Sequence, residues 1–119
     1  KAIADYFRPK LQDKAHEECH LMFLRNNLTY MGSIRVSQGG ITSSAVDVRQ
    51  VLREAILRQC TAIVFCHNHP SGTLVPSRQD KELTHRLVEA CKAVDIALID
   101  HVIVSSQGYY SFSEEGTLC

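Results

Sequence analysis

The spacing of hydrophobic and polar positions changes several times along the chain, and each change marks an element. Ala2 to Leu11 carries a short helical pattern that Pro9 should interrupt or kink, because proline has no amide proton to donate to the i−4 carbonyl. Glu17 to Leu24 is a mostly apolar run suited to a buried strand. Asn26-Asn27 reads as a hairpin turn, since asparagine tolerates positive φ. A second strand then runs from Leu28 to about Val36, until Gly39-Gly40 breaks it. From Val46 the period lengthens. Val48, Val51, Leu52, Ala55, Ile56 and Gln59 fall at i, i+3, i+4, i+7, i+8 and i+11, one face of an amphipathic helix.

Thr61-Ala62-Ile63-Val64-Phe65 is short, apolar and partly β-branched, the signature of a central buried strand. Pro70, Gly72 and Pro76 make residues 67 to 76 a loop. Ser77 to about Val94 is helical, with Leu83, Leu87, Ala90, Cys91 and Val94 facing inward. Ala97 to Val104 is a strand, Gln107-Gly108 turns the chain, and Tyr109 to Phe112 can pair back. The order α-β-β-α-β-α-β-β predicts an α/β fold with a sheet between helical layers. There is no repeat, low-complexity tract or linker, so residues 1–119 are expected to form one domain, with 1–14 as a helical lead-in.

Composition narrows the function. A chain of 119 residues fits one core, and halves would be too small for secure ones. With 45% hydrophobic and 22% charged residues, it is an ordinary globular composition rather than a disordered one. Thirteen basic and thirteen acidic residues cancel, which weighs against a nucleic-acid binder. No apolar stretch approaches the roughly 18 residues of a membrane span. No apolar segment follows Lys1, as a signal peptide would require. The first residue is not methionine, so a fragment of a longer chain is expected. Five cysteines (19, 60, 66, 91 and 119), odd in number and without a Cys-x-x-Cys pair, point to free thiols in a reducing cytoplasm.

The chemistry concentrates between His67 and Asp80. Side chains two residues apart on an extended chain leave the same face, about 6–7 Å apart at Cα, so His67 and His69 can converge on one ion. They lie just past the C-terminal end of a buried strand, where open α/β sheets bind ligands. Asp80 follows in the first turn of the next helix. Two imidazoles and one carboxylate leave a fourth tetrahedral position open, the arrangement of a catalytic rather than a structural zinc. Ser77-Arg78-Gln79-Asp80 also fits a helix capping box, which explains Ser77 and Asp80 without any metal.

His-x-His, seven residues, Ser, two residues, Asp is the JAMM (MPN+) metalloprotease motif, matched at His67, His69, Ser77 and Asp80. His67-Asn68-His69-Pro70-Ser71-Gly72, then Pro76-Ser77, Asp80, Leu98-Ile99-Asp100-His101-Val102-Ile103-Val104, Tyr109 and Ser111-Phe112 resemble the RadC-like branch of that family. The similarity runs from Glu17 to Gly116. It implies a three-layer α/β/α sandwich with a mixed sheet, similar to cytidine deaminases. It also implies one zinc ion held by His67, His69 and Asp80, and a metal-activated water that attacks a peptide or isopeptide amide of a protein substrate.

In the family an early glutamate acts as general base. Glu17 lines up best, with Glu18 as the alternative, although Cys19 stands where an aromatic is usual and Arg25 where an aspartate is usual. Ser77 would donate a hydrogen bond to the oxyanion. Asp100 and His101 could support a metal ligand or line the substrate groove. Cys66, pointing away from His67, reads as core, and His85, His16 and His20 match no motif. The branch has been named for DNA repair, and longer members carry a helix-hairpin-helix region that these residues do not contain. The alternative is thus a non-enzymatic, repair-associated or protein-interaction module. Deamination is disfavoured, because the His-x-Glu and Pro-Cys-x-x-Cys signatures are missing. A nuclease is disfavoured too, since imidazoles suit zinc better than magnesium.

Overall fold

The computed structural model describes residues 1–37 and 46–118; the expected break at Gly39-Gly40 and the residue Cys119 lie outside the described residues. Along the chain run α1 (Ala2–Leu11), β1 (Cys19–Arg25), β2 (Thr29–Ser37), α2 (Val48–Leu57), β3 (Ala62–Asn68), α3 (Arg78–Ala93), β4 (Ala97–Ser105) and β5 (Gly108–Ser111). The strands form one mixed sheet in the order β2-β1-β3-β4-β5. β3 pairs antiparallel with β1 and parallel with β4, so it has a neighbour on each edge.

Every residue of β3 is buried, which is why its sequence is a continuous apolar run instead of an alternating one. Successive side chains still go to opposite faces. Ile63 and Phe65 join Val51 and Ala55 of α2 and Leu83, Leu87 and Cys91 of α3 in one core. Ala62, Val64 and Cys66 join Ala4, Phe7 and Leu11 of α1 in the other. The result is a three-layer α/β/α sandwich with a mixed sheet, as expected from the sequence.

The structure departs from the expected elements in four places. α1 runs through Pro9 to Leu11 without a break, because Phe7 and Leu11, buried on either side of the proline, hold that turn on the sheet. In α2 the inward stripe is narrower than its periodicity suggests. Ile56 is 51% exposed, and Gln59 lies beyond the helix with φ 55°. In α3, Val94 is 39% exposed, while Thr84 and Val88 are buried. The fourth departure matters most for the site. β3 continues through His67 and Asn68, which pair with Ile103 and Val104 of β4, so the two residues belong to the strand and not to the loop.

Among the described residues, Cys19, Cys60, Cys66 and Cys91 are buried thiols. Burial pushes the Cys91 thiol up to about 11 and the Cys66 thiol well above its ordinary range. Iodoacetamide at neutral pH is therefore expected to spare these four until denaturant is added, as read by peptide mapping. Rapid alkylation of Cys66 or Cys91 in the folded protein would contradict this core.

Candidate metal centre

His67, next to last in β3, lies on the face toward α3, and beyond Asn68 the His69 amide still donates to the Val104 carbonyl at 3.0 Å. That bond keeps the backbone extended past the strand, so both rings leave the same face and their Nε2 atoms approach to 3.2 Å. The chain then turns sharply. Gly72 donates its N–H to the His69 carbonyl at 2.9 Å, with Pro70 in the second and Gly72 in the fourth position, as such turns favour. The turn brings the Thr73 carbonyl to 3.0 Å from His69 Nδ1. That nitrogen must donate, because a carbonyl only accepts, so the neutral form of His69 carries its lone pair on Nε2.

Asp80 arrives from α3. Ser77 caps this helix, its hydroxyl accepting the Asp80 N–H at 3.0 Å while Asp80 Oδ2 accepts the Ser77 N–H at 2.8 Å. The capping box expected from the sequence is thus present. The same carboxylate faces the imidazoles, with Oδ1 3.1 Å from His67 Nε2 and Oδ2 3.2 Å from His69 Nε2. Capping and facing the histidines are compatible because each uses a different direction around the oxygens. Accepting the Asp80 amide also leaves the Ser77 hydroxyl with its own proton to donate.

The segment before β1 supplies a second carboxylate. The ladder between β1 and β3 ends at Cys19 opposite His67. Beyond it the buried Asn68 side chain takes over, its Oδ1 accepting the Glu18 N–H at 2.6 Å and its Nδ2 donating to the His16 carbonyl at 3.1 Å. Asn68 therefore holds the backbone on both sides of Glu17. Glu17 turns inward, and its carboxylate, His67 and His69 each offer a ligand atom within 4.8 Å of the others, a group that can hold a metal ion. Glu18 turns to His20 at 3.1 Å and Arg35 at 3.9 Å. The two candidates for the early glutamate are thus separated by geometry.

Behind the imidazoles lies His101, fully buried, with Nε2 2.9 Å from His67 Nδ1 and Nδ1 2.5 Å from Thr84 Oγ1. Phe112 stacks on the His101 ring at 4.5 Å and Phe65 meets it edge-on at 5.0 Å. Burial, and then the nearby His67, push the His101 ring well below the usual histidine range. Burial pushes His69 in the same direction, but the Asp80 carboxylate, the Thr73 carbonyl and Glu17 outweigh it and raise its affinity for a proton. What favours a proton there also favours any other cation.

Asp100 does not join this cluster. Its carboxylate accepts the Ser111 hydroxyl, the Ser113 N–H at 2.9 Å and the His101 N–H at 2.8 Å, pinning the C-terminal turn to β4. Cys66 lies in the opposite core, His85 is exposed, and His16 contributes its carbonyl to Asn68. Two residues that sequence reasoning passed over matter here. Asn68 was hidden by its position between two histidines. Thr84, one turn after Asp80 on the same helical face, is a polar residue at a buried i+4 position, and that was the available signal.

The residues fit a metal. A zinc ion with bonds of about 2.0–2.1 Å to nitrogen has tetrahedral edges of roughly 3.3–3.4 Å. His67 Nε2 and His69 Nε2 lie 3.2 Å apart, with Asp80 Oδ1 3.1 Å from the first and Asp80 Oδ2 3.2 Å from the second.

A mixed sheet between helical layers, with His-x-His at the end of its central strand and an aspartate at the next helix N-terminus, defines a JAB-type domain. The model of the RadC-like JAB domain matches residues 1–117, and the chain belongs to that family. It is similar to a UPF0758 protein of Flavobacterium johnsoniae, 38% identical over 109 residues, which are 92% of this chain and 48% of the relative. A UPF0758 protein of Symbiobacterium thermophilum is 37% identical over 118 residues, 99% of this chain and 50% of the relative. UPF0758 protein YfjY of Escherichia coli is 36% identical over 118 residues, 99% of this chain and 74% of the relative. The chain thus spans about half the length of most of these curated relatives.

Replacing Ser77 with alanine removes the N-cap and is expected to cost about 1 kcal/mol in urea denaturation. An unchanged midpoint would show that the cap contributes nothing to stability.

Proposed function

We propose that this domain is a zinc-dependent hydrolase of peptide or isopeptide amides. The observation that carries the proposal is the convergence of His67 Nε2, His69 Nε2 and the Asp80 carboxylate at 3.1 to 3.2 Å, with the Glu17 carboxylate beside them. His67, His69 and Asp80 are the metal ligands. Asp80 is preferred to Glu17 as the third ligand because its oxygens already stand at ligand spacing from both imidazoles. When bound, zinc supplies Lewis acidity, lowering the pKa of water from 15.7 to about 7 and polarising a carbonyl.

The chain's own residues then divide the remaining work. Glu17, held in register by Asn68, takes a proton from the attacking water and delivers it to the departing amine. Ser77 donates its free hydroxyl proton to the developing oxyanion, a contact worth about 3–4 kcal/mol of barrier in comparable sites. His101 supports His67 from behind. Among the described residues no helix is long and apolar enough to cross a membrane, and the partner this reading calls for is a peptide or protein substrate.

The test is elemental analysis of protein purified without chelators, followed by exposure of the zinc-loaded domain to proteome-derived peptides. One zinc per chain, absent from a His67→Ala, His69→Ala double variant, is expected. Glu17→Gln should keep the zinc and lose about 10²–10⁴-fold in cleavage rate, as expected for a general acid–base. A protein that takes up no zinc on titration would refute the reading. Zinc without cleavage of any peptide or isopeptide would favour an interaction module.

A further inference from the structure

We infer that the groove between α1 and β2 binds a single-chain anionic amphiphile, a hydrocarbon body headed by a carboxylate. The groove lies on the α1 face of the sheet, opposite the face that carries the metal centre, and the inference stands apart from the hydrolase reading.

β1 forms the floor. Leu24, Met22 and His20 alternate onto the α1 face, and across the ladder they pair with Tyr30, Ser33 and Arg35 of β2. α1 lies over β3, β4 and β5, and its stripe of Ile3, Tyr6 and Lys10, at i, i+3 and i+7, forms the facing wall. The walls meet where the Tyr6 and Tyr30 rings pack edge-on at 5.7 Å. Three levels of different chemistry follow one another along the floor. At the first, Ile3, Leu24, Leu28 and Ile99 border a cavity of about 580 Å³, within the range of small-molecule sites. At the second, the hydroxyls of Tyr6, Tyr30 and Ser33 meet. At the third, Lys10 stands 4.9 Å from the centre of the Tyr6 ring, and Arg35 lies opposite His20.

Each level selects one part of the ligand. β1 beneath the cavity spends its peptide groups on β2 and β3, so the floor offers nothing to the N–H and C=O groups of a bound peptide. A hydrocarbon chain has no such groups to leave unpaired. The three hydroxyls carry three protons. Contacts at 3.0 and 3.1 Å use two, while Tyr30 and Ser33, 3.5 Å apart, leave the third for an acceptor. Beyond them two cations, Lys10 and Arg35, surround one carboxylate, Glu18, which lies 3.9 Å from Arg35 and 3.1 Å from His20. The polar end is thus complementary to an anionic head. Leu28 adds a separate observation. It is 57% exposed and holds φ 58°, a left-handed backbone that bulky side chains rarely adopt. That backbone puts its side chain on the rim of the cavity, where a bound chain covers it.

The test is calorimetric titration of the full chain with sodium dodecanoate below its micelle concentration, with methyl NMR to locate the ligand. A chelator is present, so that no metal captures the carboxylate. Saturable one-to-one binding is expected, with shifts at Ile3, Leu24, Leu28 and Ile99 and an unchanged far-UV CD spectrum. Decanoate, two methylenes shorter, should bind about 10-fold more weakly. A Lys10→Gln, Arg35→Gln double variant should bind dodecanoate about 3–10-fold more weakly and lose the preference over dodecyltrimethylammonium, the same chain with a cationic head. The absence of saturable dodecanoate binding would overturn the inference. So would equal affinity of the wild type for dodecyltrimethylammonium, or shifts confined to the α2 and α3 side of the sheet. Sedimentation with phosphatidylglycerol vesicles, without binding of free dodecanoate, would assign the groove to a membrane surface instead.

Discussion

A neutral imidazole has one proton and one lone pair, and two histidines that are to share a metal ion must both turn their protons away from it. Much of this fold can be understood as the means of meeting that requirement for His67 and His69. Carbonyl oxygens are the most dependable way to hold an imidazole proton, because they accept and never donate. The Thr73 carbonyl is available to His69 only because the turn at Pro70 to Gly72 folds the chain back. The Asp80 carbonyl reaches His67 only through Thr84 and His101, which requires α3 to lie against β4. The position of the helix, the turn and the central strand are therefore coupled to the placement of the two rings.

The same economy of groups is seen elsewhere in the site. Asp80 closes the capping box of α3 and presents its carboxylate to both imidazoles. Asn68 replaces one more rung of the β1–β3 ladder with its side-chain amide, and so holds Glu17 between two anchored peptide groups. Asp100 ties the segment after β5 to β4, which keeps Phe112 stacked on His101. Each of these polar groups is buried and bonded, as buried polar groups must be if they are not to cost stability.

The sequence made the elements legible because their periods differ: a continuous apolar run for β3, a helical repeat for α2 and α3, and turn residues between them. It placed the strand end poorly. Histidine and asparagine look like loop residues by composition, yet His67 and Asn68 continue the ladder because β3 has strands on both sides. The motif brought His67, His69, Ser77 and Asp80 to attention together. The motif favoured Glu17 over Glu18, but what orients the two was not legible, since it depends on Asn68 binding the chain across the sheet, a contact fifty residues away from Glu18 in sequence. Thr84 carried only the signal of a polar residue on the inner face of α3. A threonine one turn into a helix has meaning only once His101 is seen behind it.

The most direct test is X-ray absorption at the zinc edge on protein purified without chelators. The account predicts one zinc per chain with two imidazole nitrogens at about 2.0–2.1 Å, oxygen in the remaining positions and no sulfur. A thiolate at about 2.3 Å, or fewer than two imidazoles around the ion, would contradict it.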